Sequence, residues 1–121
     1  MTMTYTSTVL DAPDARELAD FYRRLLGWTT EEDSADWVVL RDPEGTARLS
    51  FQTEPEYRRP VWPGERGAQL MMAHLDIEVD DLDAEVAHAI DEGAEVAGFQ
   101  PQEQVRVCLD PAGHPFCLYV G

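Results

Sequence analysis

Apolar residues recur along the chain at two periods, and each switch of period marks a change of element. Residues 6–10 alternate as a short strand. Leu18, Phe21, Tyr22 and Leu25 then fall at i, i+3, i+4 and i+7, one stripe of an amphipathic helix. Asp14 is placed to cap its N-terminus with Glu17 three residues on, and Gly27 to stop it. Residues 28–30 and 37–40 read as strands, and the D-P-E-G turn at 42–45 leads to a further strand over 47–52. The most informative alternation lies in residues 73–92. There His74, Asp76 and Glu78 interleave with Leu75, Ile77 and Val79, giving a strand with one polar and one apolar face. This strand feeds a helix carrying Leu82, Val86, Ala89 and Ile90, which ends at Gly93. Residues 94–99 and 104–109 read as strands, and a D-P-A-G turn at 110–113 precedes the last, over 115–120.

Both halves thus follow one pattern: strand, helix, glycine stop, two strands, D-P-x-G turn, final strand. Asp14 corresponds to Asp81, Gly27 to Gly93, and the turns lie 68 residues apart. A duplicated βαβββ unit is the strongest organisational signal in the chain. The reading is of a single domain, residues 1–121, with module one at about 4–52 and module two at about 70–121. The connector, residues 53–69, holds three prolines, two glycines and Trp62, and reads as an extended segment whose aromatic ring packs down as a lid or anchor.

Charge narrows the partners. The net charge is −15, and from residue 70 onward eleven acids face a single base, Arg106. Such a field repels phosphate backbones and anionic lipid, so neither nucleic acid nor membrane is expected as a partner. No apolar run has the length of a membrane span, the first residues lack a signal-peptide pattern, and the two cysteines form no C-x-x-C pair. A cytoplasmic location is the expectation.

The helix motif DARELADFYRRLLGW (14–28), the strand HLDIEVDDLD (74–83) and the ending DPAGHPFCLYV (110–120) resemble the vicinal oxygen chelate superfamily. That group includes glyoxalase I, bleomycin-resistance proteins, fosfomycin-modifying enzymes and extradiol dioxygenases. The resemblance spans essentially the whole chain. It implies an α+β fold in which two βαβββ modules form a cupped mixed sheet with helices on the outer face, commonly as a homodimer. In metal-dependent members, the concave face holds a divalent ion on a His from the first strand of one or both modules and a Glu from each last strand.

Transferred by position, the family pattern is largely unmet. His74, seven residues before Asp81, matches; Ser7, seven before Asp14, does not. Cys117 stands where the family has Glu in module two. In module one, Leu49 and Phe51 suit the helix-facing side, which turns Ser50 and Gln52 toward the cavity; Gln52, or Ser50, is then the equivalent. A hard ion wants carboxylate oxygens and zinc wants three or four N or S donors. Asp76 and Glu78 share the face of His74, but about 7 and 14 Å along the strand. No metal cofactor is therefore expected.

Cys117 is expected beside Cys108, both facing away from Val105, Val107, Leu109, Phe116 and Leu118, with Arg106 on the cysteine face. Two functional readings follow. The first is a metal-independent pocket of the bleomycin-resistance type for a small organic ligand, with Ser7, Gln52, His74, Arg106 and Cys117 as polar contacts and Trp62 and Tyr119 as aromatic surface. The second is a glyoxalase-like lyase or isomerase with His74 as general base or metal ligand.

Overall fold

Asp14 takes an extended conformation and its carboxylate accepts the backbone N–H groups of Arg16 and Glu17, which starts α1 (Ala15–Leu26) where the sequence places it. Gly27 ends the helix in the left-handed region, φ 70°, which a residue with a side chain adopts only at a cost. In a computed structural model of the protein, residues 2–121 are described, and they form two units, one ending at Tyr57 and the next beginning at Arg58.

In the first unit, β1 (Thr8–Ala12), α1, β2 (Thr29–Ser34), β3 (Trp37–Arg41) and β4 (Arg48–Thr53) follow in order. The sheet order is β1-β4-β3-β2, with β1 and β4 parallel and the other pairs antiparallel. Leu18, Phe21 and Tyr22 of α1 are buried, as are Val38, Leu40, Leu49 and Phe51 of the sheet. Tyr22 stacks on Phe51 at 5.7 Å and meets Phe21 edge-on at 4.9 Å. Full burial of each such side chain stabilises by about 1.5–3 kcal/mol. β2 runs four residues beyond the expected strand, and its sequence, TTEEDS, is polar and exposed, so no apolar period marks it. It is held by pairing with β3, across an irregularity between Thr30 and Glu32, and by ion pairs of Glu31 with Arg48 and of Asp33 with Arg16.

The second unit repeats the plan with β5 (Leu75–Glu78), α2 (Leu82–Glu92), β6 (Glu95–Val96), β7 (Val105–Leu109) and β8 (Pro115–Tyr119). The sheet order is β5-β8-β7-β6, and β5 and β8 are parallel. Asp81 caps α2 through the N–H of Ala84, and Gly93 ends it at φ 117°. Of the expected stripe, Ala89 is buried while Ile90 is half exposed. β6 is far shorter than residues 94–99 because a side chain takes over the ladder. The Gln100 amide donates to the carbonyl of Val107 and accepts its N–H at 2.9 and 3.0 Å.

The expected connector divides. Thr53 ends β4, while Val61 bridges to Leu70 and Arg59 donates to the carbonyl of Pro111, so residues from 58 onward pack with the second unit. Gly113 makes that seat possible, since its φ is +90° and a Cβ there would overlap the Arg59 side chain. Among the described residues no helix is long and apolar enough to cross a membrane.

Candidate functional site

The parallel register of β5 on β8 sets Asp76 beside Cys117 and Glu78 beside Tyr119. Successive side chains on a strand alternate faces, so His74, immediately before β5, shares the face of Asp76 and Cys117, while Leu75 and Ile77 turn away with Phe116 and Leu118. His74 Nε2 lies 3.1 Å from Asp76 Oδ1. Metal-ligating atoms of His74, Asp76 and Cys117 all lie within 4.8 Å of one another. This corrects the expectation that Asp76 is out of reach. Backbone spacing along a strand separates the two anchors by about 7 Å, but both side chains are long enough to lean together over the intervening residue.

Trp62 does pack down, and what it covers is the imidazole. Its ring stacks on His74 at 5.1 Å with planes 17° apart, and its other contact is edge-to-face with Phe99 at 5.4 Å. The His74 side chain is 31% exposed and that of Asp76 62%, so the pair stands at the surface with one aromatic wall.

The cysteines are not neighbours on one face. Val107 pairs with Cys117 and Cys108 with Phe116, so Cys117 shares the side of Val105, Val107 and Leu109, and Cys108 faces with Phe116 and Leu118. The cause is the loop between Leu109 and Pro115, which closes on residues of equal parity. Arg106 pairs with Leu118 and so faces away from His74, contrary to its expected place among the ligand contacts. Its guanidinium donates to the carbonyls of Glu103 and Val105 at 3.0 and 2.9 Å. Burial raises the Cys108 thiol to about 11, with the Cys117 sulfur adding to it. Burial likewise raises Cys117, helped by the negative charge of Asp76. A thiol held in its neutral form is a poor nucleophile.

In the first unit the corresponding positions carry hydroxyls. Ser50 is the β4 partner of Val9 as Cys117 is the β8 partner of Asp76, which makes Ser50, rather than Gln52, the counterpart of Cys117. Ser7 and Ser50 hydrogen-bond to each other at 2.6 Å, and Ser50 is buried. Gln52 lies on the same face and donates to Asp11 at 2.7 Å. Two mutually bonded neutral hydroxyls and a thiol do not make the carboxylate-rich set that a hard divalent ion requires. Ser50 and Cys117 stand where the resemblance implies the Glu ligands of the metal-dependent relatives.

A separate groove of about 440 Å³ lies between α1 and β2–β3. Its two arginines are paired within the lining, Arg16 with Asp33 at 2.9 Å and Arg23 with Asp20 at 2.7 Å, and it contains none of the candidate residues.

Residues 7–119 match the family described as Glyoxalase-like domain. No curated protein matches the chain. Among solved structures, the fosfomycin resistance protein FosX of Listeria monocytogenes, complexed with Mn(II) and 1S,2S-dihydroxypropylphosphonic acid, aligns with TM-score 0.74 at 12% identity, covering 100% of this chain and 92% of that one. A possible glyoxalase from Bacillus cereus gives 0.70 at 16%, covering 98% and 99%. The bleomycin-binding protein of Streptomyces verticillus, complexed with copper(II)-bleomycin, gives 0.62 at 19%, covering 100% and 98%. At these identities the likeness establishes the fold, that of the vicinal oxygen chelate superfamily.

Proposed function

The chain belongs to the glyoxalase-like domain family, and from that premise we propose that it binds a small organic molecule on the polar sheet face of its second module, without the divalent centre of its metal-dependent relatives. The observation that carries this reading is the Trp62 ring laid over His74, with Asp76 at hydrogen-bonding distance beyond it. An aromatic wall beside a small set of convergent polar groups suits an organic ligand with a flat ring and one or two hydrogen-bonding substituents. Cys117 and Tyr119 supply the adjoining surface on the same face, and Ser7 and Gln52 the corresponding polar face of the first module. That the Streptomyces verticillus protein of the same fold binds copper(II)-bleomycin supports the reading by analogy. A thermal-shift screen of aromatic antibiotics, hydroxy-ketones and thiol conjugates tests it. A hit is expected among the aromatic members and is lost in Trp62→Ala; hits indifferent to Trp62 and His74 alike rule the face out.

One observation favours an enzymatic reading in parallel. A carboxylate 3.1 Å from an imidazole nitrogen is the arrangement that orients a general base. A lyase or isomerase would then use His74 to take a proton from carbon or oxygen of the bound molecule. Turnover of a hydroxy-ketone that disappears in His74→Gln and falls in Asp76→Asn would establish it. Turnover unaffected by either substitution would remove it.

A further inference from the structure

We propose that residues 61–72 are a lid on the His74 face, a self-contained loop that swings off the imidazole as one body with Met72 as its hinge. What the lid admits rests on the small-molecule reading; its motion does not.

The loop closes on itself. Val61 bridges to Leu70, and its N–H donates to the carbonyl of Gln69 at 2.8 Å. Within the loop the N–H of Ala68 donates to the carbonyl of Glu65 at 3.1 Å, and a Cβ at Gly64 would stand 3.0 Å from the Leu70 side chain. Joined ends and internal contacts of this kind define a compact Ω-loop. No residue from 61 to 73 is buried, so little apolar area fastens the loop to the sheet. The Trp62 ring fastens it instead, on His74 at 5.1 Å and on Phe99 at 5.4 Å. Just before the loop, Arg59 is a fixed post, held by the carbonyl of Pro111 and seated at Gly113.

Met72 supplies the hinge. Among the described residues it is the one non-glycine residue with a positive φ, 63°. The N–H of Ala73 donates to the carbonyl of Met71 at 2.7 Å, so residues 71–73 make a three-residue turn of the strained hand. A side chain in this region crowds the backbone, and that of Met72 is exposed, so its packing does not offset the strain. Such a turn persists only while its surroundings hold it. Here they are the start of β5 on one side and the closed loop on the other. Two influences therefore oppose each other: the aromatic stack holds the loop down, and relief of the turn lifts it. Stacked rings stand about 4.5–7 Å apart centre to centre. The 5.1 Å between Trp62 and His74 leaves no room for a third ring, so a flat ligand reaches that face of the imidazole only with the loop raised.

Hydrogen exchange read amide by amide tests the motion with no ligand present, so a failed ligand screen and a fixed loop are separate results. The expected result is that the Ala73 amide exchanges in an opening that leaves the Val61 and Ala68 amides protected. Trp62→Ala lowers the protection of Ala73 about tenfold, through loss of both ring pairs. Met72→Gly, which adopts the turn without strain, raises it about threefold, the relief being partly offset by the freedom glycine gains in the raised loop. Acylation of His74 by diethyl pyrocarbonate, located by peptide mass, follows the same order, while His88 and His114 react at unchanged rates. Slower acylation in Met72→Gly is the decisive reading, because simple shielding by the Trp62 ring would not respond to a change at Met72. It also decides the matter should Trp62→Ala fail to fold. Ala73 and Val61 exchanging in one event, or equal His74 acylation in wild type and Met72→Gly, overturns the lid.

Discussion

The contact between Trp62 and His74 is the feature on which the candidate site depends, and its energy can be measured. Trp62 is half-buried and makes two ring contacts, stacked on His74 at 5.1 Å and edge-on to Phe99 at 5.4 Å. Each aromatic pair contributes about 0.5–1.5 kcal/mol beyond its buried area. Truncating a fully buried Trp costs about 3–5 kcal/mol, so a half-buried ring with both pairs intact costs roughly 2–4 kcal/mol on conversion to Ala. Trp62→Phe, which keeps a ring over the imidazole, costs less. Urea unfolding followed by far-ultraviolet circular dichroism gives the free energies without relying on the fluorophore being removed. In the double-mutant cycle of Trp62→Ala with His74→Ala, the coupling is expected at about 0.5–1.5 kcal/mol. Additivity to within about 0.3–0.5 kcal/mol would show that the two rings act independently, and the aromatic wall of the site would be refuted.

Phe51, with no exposed surface and stacked on Tyr22, is expected to cost about 3–5 kcal/mol as Phe51→Ala, read as a fall in the urea midpoint with little change in slope. Asp14→Ala and Asp81→Ala each remove a helix cap and should cost about 1 kcal/mol apiece; a loss under about 0.3 kcal/mol would show the caps to be incidental. Both thiols are held neutral, so alkylation of native protein at neutral pH should be far slower than of urea-unfolded protein. The same shift sets a pH dependence. The folded state binds the Cys108 proton more tightly than the unfolded chain, so the contribution is complete below the ordinary value of 9.0 and is lost as pH rises through about 11. Cys108→Ala should flatten the alkaline fall in the urea midpoint, and an unchanged slope would show that another group causes it.

Much of this fold can be read in the chain because local signals agree with tertiary packing. Asp14 and Asp81 as caps, Gly27 and Gly93 as stops, and the Leu18–Phe21–Tyr22 stripe all occupy their expected roles. What escaped were features set by partners distant in sequence. The polar strand β2 has no apolar period, and β6 gives way to a side-chain amide. The relative facing of β7 and β8 depends on the residue count of a single loop, and one step of parity exchanges Cys108 for Cys117 and turns Arg106 from the site to the opposite face. At the site itself, alternation correctly put His74 and Asp76 on one face. The bond between them depends on side-chain reach, which backbone spacing does not express. The choice between Ser50 and Gln52 likewise needed the β1–β4 register, and it falls on Ser50.

The polar face around His74 is proposed to hold a small organic molecule. Isothermal titration of the best ligand from the thermal-shift screen into wild-type protein and into His74→Ala tests it most directly. Saturable binding at one site per chain is expected, weakened at least about tenfold in His74→Ala, equivalent to about 1.4 kcal/mol. Equal affinity in the two proteins would contradict it.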